Sequence, residues 1–293
     1  MRALCCLFAL SVSGAAVAQE VPCGGDFQAF KAKLQDEAVA MGHDPQVAQR
    51  FLSGAQQDSS VLRRDRAQGI FQTPFIEFSR KLISQDRLDR GRQLSQRWDE
   101  VFDRIERDYG ISRGVLLAFW AFETDYGAFQ GDFNTLDALV TLAHDCRRPE
   151  IFRPQIFSAM ELYERGDFDP DTTTGAWAGE IGMVQMLPKD ILENGMDGDG
   201  DGQVTLKSSA PDALLSGAKM LSELGWRHGE PWLQEVVLPA DMDLSLTGLE
   251  TTMSVAEWER LGVRAREGAL DDGRLEASIL LPQGRGGPSF IAY

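Results

Sequence analysis

The sequence has few histidines and a shortage of positive charge, and each shortage excludes a class of function. Its histidines, His43, His144 and His228, are scattered and lack the spacing of a zinc site. Only 29 lysines and arginines stand against 45 aspartates and glutamates, which gives a formal net charge of −16. Nucleic acid and anionic membrane surfaces repel such a chain and are not expected as partners. The sequence also lacks a P-loop, a dinucleotide-binding glycine motif and a Gly-x-Ser-x-Gly elbow.

Long hydrophobic runs are missing as well, so no transmembrane segment is expected. The first 18 residues instead have the pattern of a secretory signal peptide. Arg2 supplies the positive charge, residues 4–12 form a short apolar stretch, and residues 16–18 are a small-x-small cleavage site. A buried N-terminal helix is the alternative and fits this pattern less well. The sequence therefore predicts a chain that starts at Gln19 and is secreted to the periplasm through a cleaved signal.

Cysteine is scarce, and cleavage of the signal would remove two of the four cysteines. Cys23 and Cys146 would remain. A single pair in an oxidising compartment favours one disulfide, although two separate buried thiols are the alternative. The proximity of His144 to Cys146 could also indicate a thiol nucleophile, but a disulfide is the simpler use of that cysteine.

Apolar residues at helical spacing dominate the chain up to about residue 234, and short strand-like runs follow. The pattern predicts a mainly α (α+β) fold. A further helix is expected to begin at Asp44-Pro45, where an N-cap precedes a proline. Helices are predicted over residues 26–41, 88–109, 114–126, 135–143, 154–165, 211–224 and 255–261, and strands over 235–238, 277–281 and 289–293.

A single carboxylate, Glu123, lies near the end of a strongly apolar helix. On a helix, Phe119, Trp120, Tyr126 and Gly127 would share its face. A carboxyl flanked by aromatic rings is poorly solvated, which raises its pKa and suits a general acid in glycosidic cleavage. From this segment alone, a solvent-facing carboxylate at a helix C-terminus is the favoured interpretation.

A second segment, residues 175–188, combines glycines and small residues with one polar side chain in an apolar run. Glycines such as Gly182 let the backbone approach a ligand closely. Gln185 is suited to hydrogen-bond a sugar. Tight packing between helices explains the glycines equally well.

A third segment, residues 197–208, resembles an EF-hand calcium loop, with carboxylates at loop positions 1, 3 and 5 and glycine at position 6. Position 12, which normally holds a bidentate glutamate, is a serine here. We therefore expect weak calcium binding, and an Asp/Gly turn that binds nothing is the alternative. The predicted ligands are Asp197, Asp199, Asp201, Gln203 and Ser208.

Several motifs occur in an order that resembles the lytic murein transglycosylase B family, specifically a soluble, exported member. Glu123-Thr124-x-x-Gly127 is similar to the catalytic motif of that family, and residues 135–142 are similar to the segment that follows it. Arg147-Arg148 resembles its basic pair, and residues 178–188 resemble its substrate-groove motif. The aspartate loop and residues 211–213 complete the order. The resemblance extends from about residue 27 to residue 293.

The resemblance implies a lysozyme-like helical core (111–234), a helical N-terminal region (19–110) and a small β subdomain (235–293). It implies cleavage of the MurNAc–GlcNAc β-1,4 bond of peptidoglycan strands to give 1,6-anhydromuramic ends, with Glu123 as the single general acid/base. No cofactor is implied beyond a weak structural calcium. The implied substrate-binding residues are Gln185, Tyr126, Arg147, Arg148 and Gly182.

Two rival functions are a hydrolytic muramidase and a non-catalytic scaffold that binds peptidoglycan or calcium. The muramidase needs a second carboxylate, for which Glu180 is the nearby candidate, because Asp125 points away from Glu123 on a helix. Two departures from the family pattern bear on these rivals. Ala176 stands where the family usually has serine, and the resemblance predicts a further strand and helix after Tyr293, so the β subdomain is expected to be incomplete.

Overall fold

A computed structural model describes residues 22–67 and 73–293 of the chain. These residues form a mainly helical molecule with a small antiparallel sheet near the C-terminal end, as the sequence predicted. The predicted signal peptide lies outside the described residues. Among the described residues, no helix is both long enough and apolar enough to cross a membrane.

The helices follow one another through the first four fifths of the described chain, with the strands concentrated after them. The helices are α1 (Phe27–Ala40), α2 (Pro45–Ser53), α3 (Ser59–Arg66), α4 (Phe75–Leu82), α5 (Gln85–Arg97), α6 (Asp99–Tyr109), α7 (Arg113–Thr124), α8 (Thr135–His144), α9 (Pro149–Arg165), α10 (Pro188–Asn194), α11 (Ala210–Glu223) and α12 (Val255–Arg260). The strands are β1 (Phe133–Asn134), β2 (Thr174–Gly175), β3 (Leu233–Val237), β4 (Met253–Ser254), β5 (Arg264–Ala265), β6 (Glu276–Leu280) and β7 (Ser289–Ala292).

The largest hydrophobic core joins the N-terminal helices to the middle of the chain. Leu34 of α1 and Phe51 of α2 are fully buried in the same cluster as Leu139 of α8 and Ile156 of α9. Helices α8 and α9 are therefore covered on one side by α1 and α2. Burial of a large aliphatic or aromatic side chain contributes about 1.5–3 kcal/mol, so this core fixes the N-terminal helices against the site-bearing ones.

A second core holds the helix that carries Glu123. Leu116 and Trp120 of α7 pack with Phe102 and Ile105 of α6 and with Leu214 of α11. One face of α7 is therefore buried, whereas the face that carries Glu123 is exposed.

The C-terminal sheet is antiparallel in the order β4-β6-β7-β3-β5. It wraps a third core around the fully buried Trp258 of α12, whose indole N–H donates to the Ala277 carbonyl at 2.8 Å. Strand β7 lies between β6 and β3, so the last residues of the chain pair on both sides.

Apart from the end of α7, two helix predictions were wrong in their bounds. The single helix predicted over residues 88–109 breaks at Trp98, where φ is −110° and ψ is 31°. Trp98 packs into the second core while Asp99 turns to Arg113 of α7, at 2.6 Å, so tertiary contacts override the continuous helical pattern. Helix α9 begins at Pro149, and Pro154, which the sequence suggested as its start, lies inside it.

A disulfide joins Cys23, before α1, to Cys146, between α8 and α9, with the two Cα atoms 5.3 Å apart. The backbone N–H of Gly24 donates to the carbonyl of His144 at 2.8 Å. The imidazole Nε2 of His144 also lies 3.0 Å from the Gly25 carbonyl oxygen. These contacts fasten the segment before α1 to the loop that precedes α9.

Candidate active site

Glu123 lies on the last turn of α7, beside Thr124, which ends the helix. Glu123 is exposed at the surface, yet the surrounding protein removes enough water that partial burial raises its pKa. The like charge of Glu180 raises the pKa further. Water that reaches a carboxyl from one side solvates its charge only partly. A carboxyl in this setting keeps its proton longer than one in water, as a general acid must.

The helix ends at Thr124, so the helical face predicted to carry Glu123 does not extend to Tyr126 and Gly127. Asp125 and Tyr126 adopt left-handed backbone conformations, with φ of 50° and 60°. The N–H of Tyr126 donates to the Trp120 carbonyl at 3.0 Å, as in a Schellman-type helix end. The prediction of a helix through residue 126 was wrong, because the sequence pattern does not reveal a left-handed end formed without glycine.

Asp125 is held away from Glu123 by two arginines of α5. Its carboxylate oxygens lie 3.0 Å from Arg87 Nε and 2.8 Å from Arg90 Nη1. Burial would raise the pKa of Asp125, but the hydrogen bonds from these arginines outweigh it and lower the pKa. Asp125 is thus a fixed anion in an ion pair, which agrees with the sequence argument that it is no partner for Glu123.

Tyr126 is directed toward α5 and the ring of Trp120. Its hydroxyl donates to the Arg87 carbonyl at 2.9 Å, and its ring packs edge-on against Trp120 with centroids 5.6 Å apart. The Arg90 guanidinium lies 5.2 Å from the ring centroid. The structure therefore gives Tyr126 a part in anchoring α7 to α5.

Thr124, which is fully buried, connects the end of α7 to the glycine-containing segment. Its hydroxyl donates to the Met183 carbonyl at 2.7 Å and accepts from the Gly127 N–H at 2.9 Å. This one side chain fixes the residue after Glu123 to the loop that carries Gly182 and Gln185.

That loop, residues 181–186, is a tight turn. Ile181 and Met186 exchange backbone hydrogen bonds of 2.8 and 3.1 Å across it. Gln185 has a φ of 53°, and its Nε2 donates to the Gly182 carbonyl at 2.8 Å. Gly182 is required by packing, because a Cβ there would lie 2.5 Å from the Leu206 Cβ.

Glu180 precedes this loop and is partly buried. Burial raises its pKa, while hydrogen bonds from its own N–H and that of Ala178, together with the positive charge of Arg148, act in the opposite direction. The like charge of Glu180 in turn raises the pKa of Glu123.

Arg147 and Arg148 follow the disulfide, and the positive charge of Arg148 acts on the nearby Glu180. Both contact Asp65 of α3, whose side chain is 1% exposed. The side chains of the arginines remain 44% and 29% exposed, so both guanidinium groups can still reach a ligand.

The aspartate loop brings carboxylates together, but not the whole set expected from the sequence. Ligand oxygens of Asp197, Asp199 and Asp212 lie within 4.8 Å of one another. Asp201 lies outside that cluster, and its carboxylate accepts from the Gln203 N–H at 2.8 Å. Ser208 is exposed.

The three clustered carboxylates fit a hard cation. Such closely spaced negative charges repel one another unless a cation or a proton separates them, and oxygen ligands are those that calcium prefers. Asp212 is fully buried and accepts from the Thr205 N–H at 2.7 Å, which fixes its orientation. Asp212 would therefore take over part of the position that the sequence gave to Ser208.

The family model described as a transglycosylase SLT domain matches residues 26–293. The chain belongs to this family. It is therefore a lytic transglycosylase, and the resemblance read from the sequence motifs is confirmed.

Its relatives agree with that assignment. The membrane-bound lytic murein transglycosylase B of Escherichia coli K12 is 26% identical over 261 residues, which cover 83% of this chain and 70% of the relative. The structure of Pseudomonas aeruginosa SltB3 with NAG-NAM-pentapeptide is 32% identical, covers 92% of this chain and 73% of SltB3, and has a TM-score of 0.84. Escherichia coli Slt35, solved with calcium, is 25% identical, covers 94% and 88%, and has a TM-score of 0.79.

Three residues of this site escaped the sequence argument. Thr124 appeared only as a member of the motif that begins at Glu123, and its hydrogen bonds to Met183 and Gly127 were not predicted. Asp212 was visible as an acid after Pro211 at a helix start, but its place in the aspartate cluster depends on the fold. Asp65 carried no local signal at all.

Proposed function

We propose that this lytic murein transglycosylase cleaves the β-1,4 bond between N-acetylmuramic acid and N-acetylglucosamine, with Glu123 as its single general acid/base. One observation carries the proposal. Glu123 lies on the exposed face of α7 with a raised pKa, whereas its neighbour Asp125 is paired with Arg87 and Arg90. A covalent carboxylate intermediate needs a second carboxylate close to the first, and Asp125 is not free to supply it.

In this mechanism protonated Glu123 donates its proton to the glycosidic oxygen as the bond to C1 breaks. The 2-acetamido group of the muramic residue stabilises the positive charge on the sugar. Glu123, now a carboxylate, takes the proton from the C6 hydroxyl, and that oxygen bonds to C1. The products are a free hydroxyl on one strand and a 1,6-anhydromuramic end on the other, with no water consumed.

The substrate would contact the groove through residues from three segments. Gln185 lies with Gly182 on the turn of residues 181–186, and Thr124, the neighbour of Glu123, donates a hydrogen bond to the Met183 carbonyl of that turn. Arg147 and Arg148 would meet carboxylates of the stem peptides. The NAG-NAM-pentapeptide bound by SltB3 supports a peptide-bearing strand as the ligand. Tyr126 was expected to bind substrate; because its hydroxyl donates to the Arg87 carbonyl, we propose instead that it supports the end of α7 beside Glu123.

A mass spectrum of the fragments released from purified sacculi tests the reaction. We expect anhydro ends, each lighter than its hydrolysed equivalent by one water, about 18 mass units. Reducing ends alone would favour the hydrolytic muramidase, for which Glu180 beside Glu123 is the specific supporting observation. Failure to release any fragment would favour a non-catalytic scaffold.

We propose that calcium has a structural role only and binds weakly, with Asp197, Asp199 and Asp212 as its carboxylate ligands. Slt35, a relative, was crystallised with calcium. Binding to the folded state alone raises the melting temperature, so millimolar calcium should stabilise the chain, and Asp199→Asn should reduce that gain. An unchanged melting temperature across calcium and chelator would contradict the assignment.

We also propose that the enzyme works in the periplasm. The signal-like pattern of residues 1–18 supports this location, and so does a disulfide, which persists in oxidising compartments.

A further inference from the structure

Asp65 is a fully buried carboxylate that joins two guanidinium groups. Its Oδ2 lies 2.5 Å from Arg147 Nη1, and its Oδ1 accepts from Arg148 Nη2. Its backbone carbonyl accepts from Arg147 Nη1 as well, at 2.8 Å. Burial alone would raise the pKa of Asp65, but the two arginines outweigh it and lower the pKa, so the carboxylate stays charged.

Asp65 is itself held in place by the docking of α3 against α8. The Asp58 N–H before α3 donates to Thr141 Oγ1 at 2.8 Å, and the Gln56 N–H donates to Asp137 Oδ1 at 2.7 Å. A carboxylate fixed in this way can orient whatever binds to it.

Arg148 is constrained from a second side and still has bonding capacity. Its guanidinium carbon lies 5.2 Å from the centroid of the buried Phe152 ring. Its Nε is buried and has no hydrogen-bond partner among the described residues. Two guanidinium groups against one carboxylate leave this cluster with one net positive charge in a chain of net charge −16.

Arg148 lies close enough to Glu180, which precedes the loop of residues 181–186, for its positive charge to act on the pKa of that carboxyl. A net cationic cluster at the edge of the groove attracts anionic groups of a ligand. The exposed parts of Arg147 and Arg148 offer N–H groups to them, and guanidinium matches the geometry of a carboxylate.

We propose that Asp65 is a positioning residue that presents Arg147 and Arg148, as one rigid pair, to carboxylates on the peptide branches of the substrate. The proposal rests on the proposed function, since it specifies how the same groove would select a peptide-bearing strand. Asp65 acts through the arginines and touches no substrate.

The test compares Asp65→Asn with wild type on peptide-bearing strands and on strands stripped of their peptides. We expect the KM for peptide-bearing strands to rise about tenfold, which corresponds to about 1.4 kcal/mol, while kcat stays within about twofold of wild type. The dissociation constant of the stripped strands should not change. Asp145→Asn is the matched control, because Asp145 pairs with Arg66 at 2.6 Å in the same region.

A second variant, Arg148→Lys, decides the matter if Asp65→Asn is too unstable to purify. Lysine keeps the charge but lacks the planar group that Asp65 and Phe152 fix, so the same selective rise in KM is expected. An equal loss of affinity for both kinds of strand, or no change in KM, would overturn the proposal. A wild-type enzyme that releases no fragments would instead overturn the proposed function itself.

Discussion

Several residues around the groove occupy backbone conformations that side chains rarely adopt. Asp125, Tyr126 and Gln185 are all in the left-handed region, which costs about 1–2 kcal/mol for each non-glycine residue. At Asp125 the ion pairs with Arg87 and Arg90 offset this cost. Strained residues of this kind persist only where neighbouring contacts hold them, and they often mark functional sites. Two of the strained residues, Asp125 and Tyr126, follow Glu123 closely in the chain, and the third is Gln185 itself.

The raised pKa of Glu123 predicts a pH dependence. The acid must be protonated to donate, so kcat/KM should fall as pH rises through the pKa of Glu123. Glu180→Gln removes a like charge, which lowers the pKa of Glu123 and moves this alkaline limb to lower pH. A pH–rate profile of both proteins measures the shift.

Glu161→Gln provides the control for that profile, because Glu161 lies on the surface of α9 and pairs with Arg165. Its alkaline limb should coincide with that of wild type. If Glu180→Gln leaves the limb in place, Glu180 does not act on the catalytic carboxyl.

At the scale of elements, the end of α7 is joined to the loop of residues 181–186 by one hydroxyl. Thr124→Val keeps the shape of the side chain but leaves the Met183 carbonyl and the Gly127 N–H without their partner. Unpaired buried polar groups cost about 1–3 kcal/mol each. We expect a loss of about 2–4 kcal/mol in the free energy of unfolding, measured by denaturant titration, and a lower kcat.

Thr135→Val is the matched control. Thr135 is equally buried, but its hydroxyl has no hydrogen-bond partner among the described residues. The substitution should therefore leave stability unchanged or raise it. Equal losses in the two variants would show that the Thr124 hydroxyl has no special part in joining these elements.

The sequence predicted the bounds of helices that are set by local residue patterns, and it missed the bounds that are set by tertiary contacts. Helices α1, α2, α8 and α11 lie within a residue or two of their predicted positions, because apolar spacing and capping residues mark them. The break at Trp98 and the left-handed end at Asp125 depend on packing and ion pairs that no local pattern contains.

The same division holds for the site. Glu123 and Gln185 belong to contiguous motifs and could be selected from the sequence. Asp65 reaches Arg147 across 82 positions, and Asp212 joins Asp197 only after the loop folds back onto α11. Partners brought together by the fold cannot be found from spacing along one sequence.

At the scale of the whole molecule, three cores organise the residues that the structure describes, and their limits bear on the division into domains. The third core begins at Val236, which supports our proposed β subdomain from residue 235. The largest core includes helices from both sides of residue 110. The helical N-terminal region is thus packed into the same core as α8 and α9, and the division at residue 110 stays a prediction.

The disulfide spans 123 positions and ties the start of α1 to the loop before Arg147 and Arg148. In the chain-entropy model, a loop of this length makes a disulfide worth about 4–5 kcal/mol, and measured effects are often smaller. Cys23→Ser together with Cys146→Ser should lower the free energy of unfolding, and reductant should destabilise only the wild type. Two free thiols in denatured, unreduced protein would contradict the bond.

The central claim is that Glu123 alone transfers the proton in both directions. Release of anhydromuropeptides by Glu123→Gln, compared with wild type and Glu161→Gln at matched folded concentration, tests it most directly. Glutamine cannot donate and retake the proton, so the rate should fall about 10²–10⁴-fold, while the melting temperature stays at or above that of wild type. Turnover by Glu123→Gln at the wild-type rate would contradict the account.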